Sequence, residues 1–170
     1  MERLQQLHRR PLDLAAAAVA GFGAGAVLMV LDLVWSLAIT GQGPWAAPRM
    51  IAAIVMGPQV LEPSTFDFGI VVVALLLHYA FGIVGGIVIA AVSAPLGLDS
   101  RLDLAALTGA AFGLVLYFIN FHVMTTFFPW FAEIRGWSAR LINLVFGISA
   151  TLLYGKLERR SDAPVLQEAR

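Results

Sequence analysis

Gly21-Phe-Gly-Ala-Gly25-Ala-Val-Leu-Met-Val-Leu-Asp32 has the same internal spacing as Gly109-Ala-Ala-Phe-Gly113-Leu-Val-Leu-Tyr-Phe-Ile-Asn120. Each stretch carries a glycine pair and then a polar residue inside an unbroken apolar run. A second match follows each of them: His78-Tyr-Ala-Phe-Gly82-Ile-Val corresponds to Asn143-Leu-Val-Phe-Gly147-Ile-Ser. The chain therefore reads as two related helical hairpins, parallel repeats about an axis along the membrane normal. The competing explanation is convergent packing chemistry, because small residues at four-residue spacing recur in membrane helices for packing alone.

Composition fixes the class. Of 170 residues, 59% are hydrophobic and 13% charged, whereas a soluble domain is nearer one half apolar. A helix needs about 20 apolar residues to cross a hydrocarbon core. Residues 12–39, 68–94, 102–127 and 137–157 meet that length, leaving a short tail at 158–170 and no soluble domain. The expected fold is an all-α membrane protein, a four-transmembrane-helix bundle forming a single domain. A formal net charge of zero argues against a nucleic-acid partner. Absence of cysteine removes disulfides, thiolate metal sites and thiol nucleophiles.

His8-Arg9-Arg10 before an apolar run resembles an export signal. The run continues to Ile39, well beyond a signal core of about 7 to 15 residues, so a retained first helix is expected. Arg3, Arg9, Arg10, Arg101, Lys156, Arg159 and Arg160 flank one set of helix ends; Arg49, Arg135 and Arg140 flank the other. This asymmetry predicts that both termini are cytoplasmic.

Pro11 suits the first turn of the first helix, and Thr40-Gly41 can end it. Ser64-xxx-Asp67 and Ser100-xxx-Asp103 read as capping boxes, while Pro95 and Pro129 stop the second and third spans. In the long outer loop, Pro48-Arg-Met-Ile-Ala-Ala-Ile-Val-Met-Gly57 is apolar but too short to span, which predicts an interfacial or re-entrant half-helix.

Small residues gather toward the cytoplasmic ends: Gly21 and Gly25, Gly82 and Gly86, Gly109 and Gly113, and Gly147. There the backbones can approach closely. The outer halves collect Asp32, His78, Asn120, His122 and Asn143, walled by Trp35, Tyr79, Tyr117, Phe118, Phe121 and Phe146. At roughly 1.5 Å per residue these polar groups lie about 8 to 15 Å below the outer helix ends, one polar layer. Asn120 and His122, two residues apart, cannot both point at one axis. The expected shape is closed at the cytoplasmic end and splayed at the periplasmic end around a polar, aromatic-lined pocket.

An ionised carboxylate near a helix centre costs at least about 2.5 to 3.5 kcal/mol, so Asp32 should face the interior with a partner. His78 is the natural one, and such a pair would respond to pH; a plain interhelical hydrogen bond is the simpler role. His78 and His122 also raise haem or metal ligation, but CxxCH, HxxxH and cysteine are all absent. No cofactor is expected. No nucleophile elbow or phosphate-binding loop is present, so the chain reads as non-enzymatic. Glu133 with Arg135 reads as a solvated interfacial pair, and Phe127-Phe-Pro-Trp-Phe131 as an interfacial aromatic belt.

The glycine-rich opening of the first helix, Pro48 to Gly57, Leu77-His-Tyr-Ala-Phe-Gly82, and Phe128-Pro-Trp-Phe131 before Asn143-Leu-Val-Phe-Gly147 resemble uncharacterised bacterial four-helix inner-membrane proteins, including the YagU-like group. The resemblance implies a link to acid tolerance. Members of the group tend to carry histidine at or near the place of Asn143, a departure that bears on any histidine-centred role here. The expected function is binding of a small or lipidic ligand, or of a partner subunit, through the outer polar layer, with a pH response. The alternatives are a small oligomeric transporter or channel and a haem- or metal-bearing redox subunit. The expected partners are the lipid bilayer, a second copy of the chain or another membrane subunit.

Overall fold

The computed structural model describes residues 12–41, 43–97 and 101–168. Arg3, Arg9, Arg10, Pro11 and Ser100, used above for topology and capping, lie outside the described residues. Five α-helices follow in chain order: α1 Leu14–Trp35, α2 Ala46–Met56, α3 Phe68–Ser93, α4 Leu102–Phe118 and α5 Trp137–Glu168. Four segments are long and apolar enough to cross a membrane: Leu14–Ala38, Phe68–Ser93, Leu102–Thr126 and Trp137–Glu158. The chain is an all-α, multi-pass membrane protein. Four spans bring the start of α1 and the end of α5 to one end of the bundle, the terminal end, and leave α2 at the other, the loop end.

Both long first helices of the hairpins change their winding before they stop. α1 continues as a π-helical segment, Ser36–Thr40, and ends at Gly41, whose φ of 65° is the left-handed conformation that glycine adopts without cost. α4 continues as the π-helical segment Ile119–Val123 and then a 3₁₀ turn, Met124–Thr126. α3 ends at Ser93, two residues before Pro95, as a helix must where proline offers no N–H. α5 runs on to Glu168, so the tail expected at 158–170 is helical as far as that residue. Hydropathy marks where a helix leaves lipid and not where it stops; Lys156, Leu157 and Glu158 are good helix formers that let it continue into water.

The predicted capping boxes are built differently. Asp67 itself caps α3, its Oδ1 accepting from Ile70 N at 3.0 Å, while Ser64 N donates to Glu62 Oε2. Asp103 sits in the first turn of α4, where its carboxylate takes two hydrogen bonds from the Arg101 guanidinium. A carboxylate satisfies orphan N–H groups at a helix start better from the cap position than from the third turn position, which is why Asp67 takes the cap.

Glycine decides how the long helices pack. A Cβ on Gly21 would strike the Gly82 carbonyl, and one on Gly109 would strike the Gly147 carbonyl. Gly25 faces His78, and Gly113 faces Asn143. The sequence correspondence between the two halves thus extends to the contacts: α1 lies antiparallel on α3 as α4 lies on α5. The hairpins join mainly through α1 against α5, while α3 and α4 hardly meet. Small side chains, Ala17, Ala20, Ala24, Ala90 and Ala150, fill the bundle interior, and Phe146 reaches the space above Gly85. The outward faces of α1, α3 and α4 expose Val19, Val30, Leu76, Val84, Leu107 and Leu114, as lipid contact requires.

Candidate functional site

The loop end is built from three parts. α2, the expected half-helix, packs its Ala52 against Ile70 and Ala74, in the first two turns of α3. Gly57, with φ of 88°, ends α2 and turns the chain into a short 3₁₀ turn, Pro58–Val60. The segment between α4 and α5 folds inward, so that Phe131 and Ile134 cover a cluster of Tyr117, Phe121 and Ala139. Trp130 Nε1 donates to the Met50 carbonyl at 3.0 Å, fastening that segment to α2.

The five polar residues expected in one layer separate into one pair and three singles. Asn120 Nδ2 donates to Asn143 Oδ1 at 3.3 Å, and Asn143 Nδ2 donates to the Ala139 carbonyl at 2.8 Å. This links α5 to the π-helical end of α4. His122, two residues on, points away: it is exposed and stacks on Phe118 with ring centroids 5.0 Å apart. Two residues apart on one helix face opposite ways, so Asn120 meets α5 and His122 is left outside.

In the other hairpin, His78 Nε2 lies 2.8 Å from the Gly25 carbonyl oxygen. The sequence pairs His78 with Asp32; the structure gives it to the α1 backbone. The close approach of α1 and α3 at their glycines brings the imidazole within reach of that carbonyl. Asp32 is half-buried, and its carboxylate has neither a hydrogen bond nor an ion pair among the described residues. The corresponding position in the second hairpin, Asn120, is the one bonded to Asn143.

The expected aromatic walls do not enclose a common space. Trp35 meets Trp137 edge-on at 4.7 Å, Tyr79 stacks on Phe22 at 4.3 Å, and Tyr117 lies against Phe121 at 5.3 Å. Phe146 is buried deep in the bundle with Ala24 and Ile89. At the loop end, α2 packs on the start of α3 and the 127–136 segment packs on Tyr117, Phe121 and Ala139. Packing of bulk against bulk closes a space as readily as it opens one. A shallow depression lined by Arg101, Asp103, Leu104 and Leu107 lies at the terminal end, away from Asp32.

Other candidates resolve simply. Among the described residues no cluster of three or more His, Cys, Asp or Glu side chains is arranged to hold a metal ion. His78 contacts α1 and His122 stacks on its own helix, so the two are not joined at a shared ligand position. Arg135 Nη2 donates to Thr125 Oγ1 and not to Glu133. Sequence reasoning gave no structural role to Arg49, 6% exposed, whose guanidinium donates to the carbonyls of Thr65 and Val60. Its signal was legible: Arg49, Ala52 and Ala53 share one face of α2, the buried one. Tyr117 was expected as wall; its hydroxyl is also buried and unbonded, with the Arg140 guanidinium 5.4 Å from the ring centre.

Fold and site define a four-helix integral membrane protein. No family model matches the chain, and no curated protein or solved structure is similar to it at a significant level.

Proposed function

We propose that this chain is a non-enzymatic membrane-embedded binding protein, and that Asp32 is the group through which it binds. The observation that supports this reading is an intramembrane carboxylate with no partner among the described residues. Such a group is costly in lipid and marks a ligand, an ion path or a partner chain. The two hairpins differ at this point. One carries the neutral Asn120–Asn143 pair, already bonded; the other carries Asp32 and His78, with the histidine turned to the Gly25 carbonyl. The partner of Asp32 is then a donor brought from outside the chain: the polar head of a small or lipidic molecule, or a basic side chain of another membrane subunit. A pH response follows where Asp32 must be ionised to hold it, in keeping with the acid-tolerance link of the YagU-like group that the chain resembles in its motifs. The distribution of basic residues supports a bacterial inner-membrane chain with both termini cytoplasmic, and reporter fusions at Arg49 and at the C-terminus test that orientation.

Purification in mild detergent tests the proposal. A stoichiometric small molecule, lipid or protein should accompany the wild-type chain and be lost from Asp32→Asn. A clean monomer with nothing bound contradicts it.

The π-helical segments on α1 and α4 favour a second reading, a small oligomeric transporter, because such turns often lie at functional sites and loosen a helix there. Proteoliposome flux at background for protons and small ions disposes of it.

A further inference from the structure

The loop end holds a second unbalanced charge, independent of Asp32. Arg49 is buried among neutral groups: its Nε donates to the Thr65 carbonyl at 3.0 Å and its Nη1 to the Val60 carbonyl at 2.6 Å. Both acidic side chains of the same loop are used elsewhere. Glu62 accepts from Ser64 N and Asp67 accepts from Ile70 N, and Arg49 forms no ion pair among the described residues. Its Nη2 makes no hydrogen bond, yet that atom is not sealed from the surroundings.

Depth tells what surrounds it. α2 packs on Ile70 and Ala74, which at about 1.5 Å per residue lie within about 10 Å of the start of α3. Trp45 against Phe66 and Trp130 on the Met50 carbonyl flank the same level, and tryptophan favours the headgroup region. A guanidinium held at that level, with Nε and Nη1 each on a carbonyl and the Nη2 hydrogens without an acceptor among the described residues, has donors left for a phosphate oxygen. We propose that Arg49 is a binding site for the phosphate of an anionic lipid headgroup, with the 58–66 loop fixing the guanidinium and Nη2 meeting the lipid.

The test uses the full chain in mild detergent, with phosphatidylglycerol, phosphatidylcholine and inorganic phosphate added separately and bound lipid read by native mass spectrometry. The wild-type chain should retain phosphatidylglycerol at least fivefold better than phosphatidylcholine. Arg49→Lys, which keeps the charge but loses the planar guanidinium, should lose most of that preference, whereas Arg135→Gln should keep it. Equal retention of both lipids by the wild-type chain overturns the proposal, as does an unchanged preference in Arg49→Lys. Displacement of the lipid by inorganic phosphate at equal concentration also overturns it and assigns the site to a soluble anion.

Discussion

The carbonyl oxygen of Gly25 lies 2.8 Å from Nε2 of His78. The bond joins α1 to α3 at the level where the second hairpin sets Gly113 against Asn143. An interhelical hydrogen bond of this kind is worth about 0.6 to 2 kcal/mol in a membrane protein. His78→Leu should therefore destabilise the bundle by that amount, measured by reversible unfolding in mixed micelles. No change would mean that the histidine holds nothing together.

Gly21 and Gly25 stand on one helix face but differ in the room they leave. A Cβ on Gly21 collides with backbone of α3, which cannot yield; a Cβ on Gly25 would stand 3.7 Å from His78 Nε2, an ordinary contact. Gly25→Ala should stay within about 0.5 kcal/mol of wild type, the usual range for a harmless substitution. Gly21→Ala, and likewise Gly109→Ala against the Gly147 backbone, should cost about 1 to 3 kcal/mol or more through forced helix separation. Thermal unfolding of the purified variants distinguishes the two cases, and equal losses at Gly21 and Gly25 would contradict the packing described.

Asn120 and Asn143 couple α4 to α5 through a 3.3 Å hydrogen bond. A double-mutant cycle with alanine at each position should give a coupling of about 0.6 kcal/mol, and at most about 1.7. A cycle that closes to zero removes the pair from the structure's support.

Trp130 fastens the 127–136 segment to α2 through one bond to the Met50 carbonyl. Trp130→Phe keeps the ring and loses the donor, at a cost of about 0.5 to 1.5 kcal/mol. Its sharper effect should be local: faster amide exchange in Ala46–Met56 with α3 unaffected. Uniform acceleration across the chain would show that the bond supports the whole bundle and not the loop end alone.

The spans were legible in the sequence because lipid imposes length and polarity on every helix, and the hairpin repeat because glycine spacing writes close helix approach directly. What escaped the sequence was direction. Asp32 and His78 were matched by chemistry and depth, but a histidine beside a glycine backbone has a carbonyl within reach, and spacing alone does not rank the two acceptors. The π-helical turn at Ile119–Val123 is not written in the hydropathy, but the opposed faces of Asn120 and His122 were legible in their two-residue spacing. Arg49 was counted as a topology marker; the i, i+3, i+4 pattern with Ala52 and Ala53 already put it on the packed face of α2. The tie between the 127–136 segment and α2 depends on Trp130 meeting Met50, a contact between distant segments that no local pattern records.

Asp32 carries the central claim, that its carboxylate is kept for binding and not for holding the fold. The measurement that tests it most directly is the unfolding free energy of Asp32→Asn against wild type, both freed of copurifying material. Replacing an unpartnered intramembrane carboxylate by an amide should leave the bundle as stable as wild type or more so, by up to about 3 kcal/mol, since the burial cost falls. A loss of stability of more than about 1 kcal/mol would mean that the carboxylate is a structural partner within the bundle, and would contradict the account.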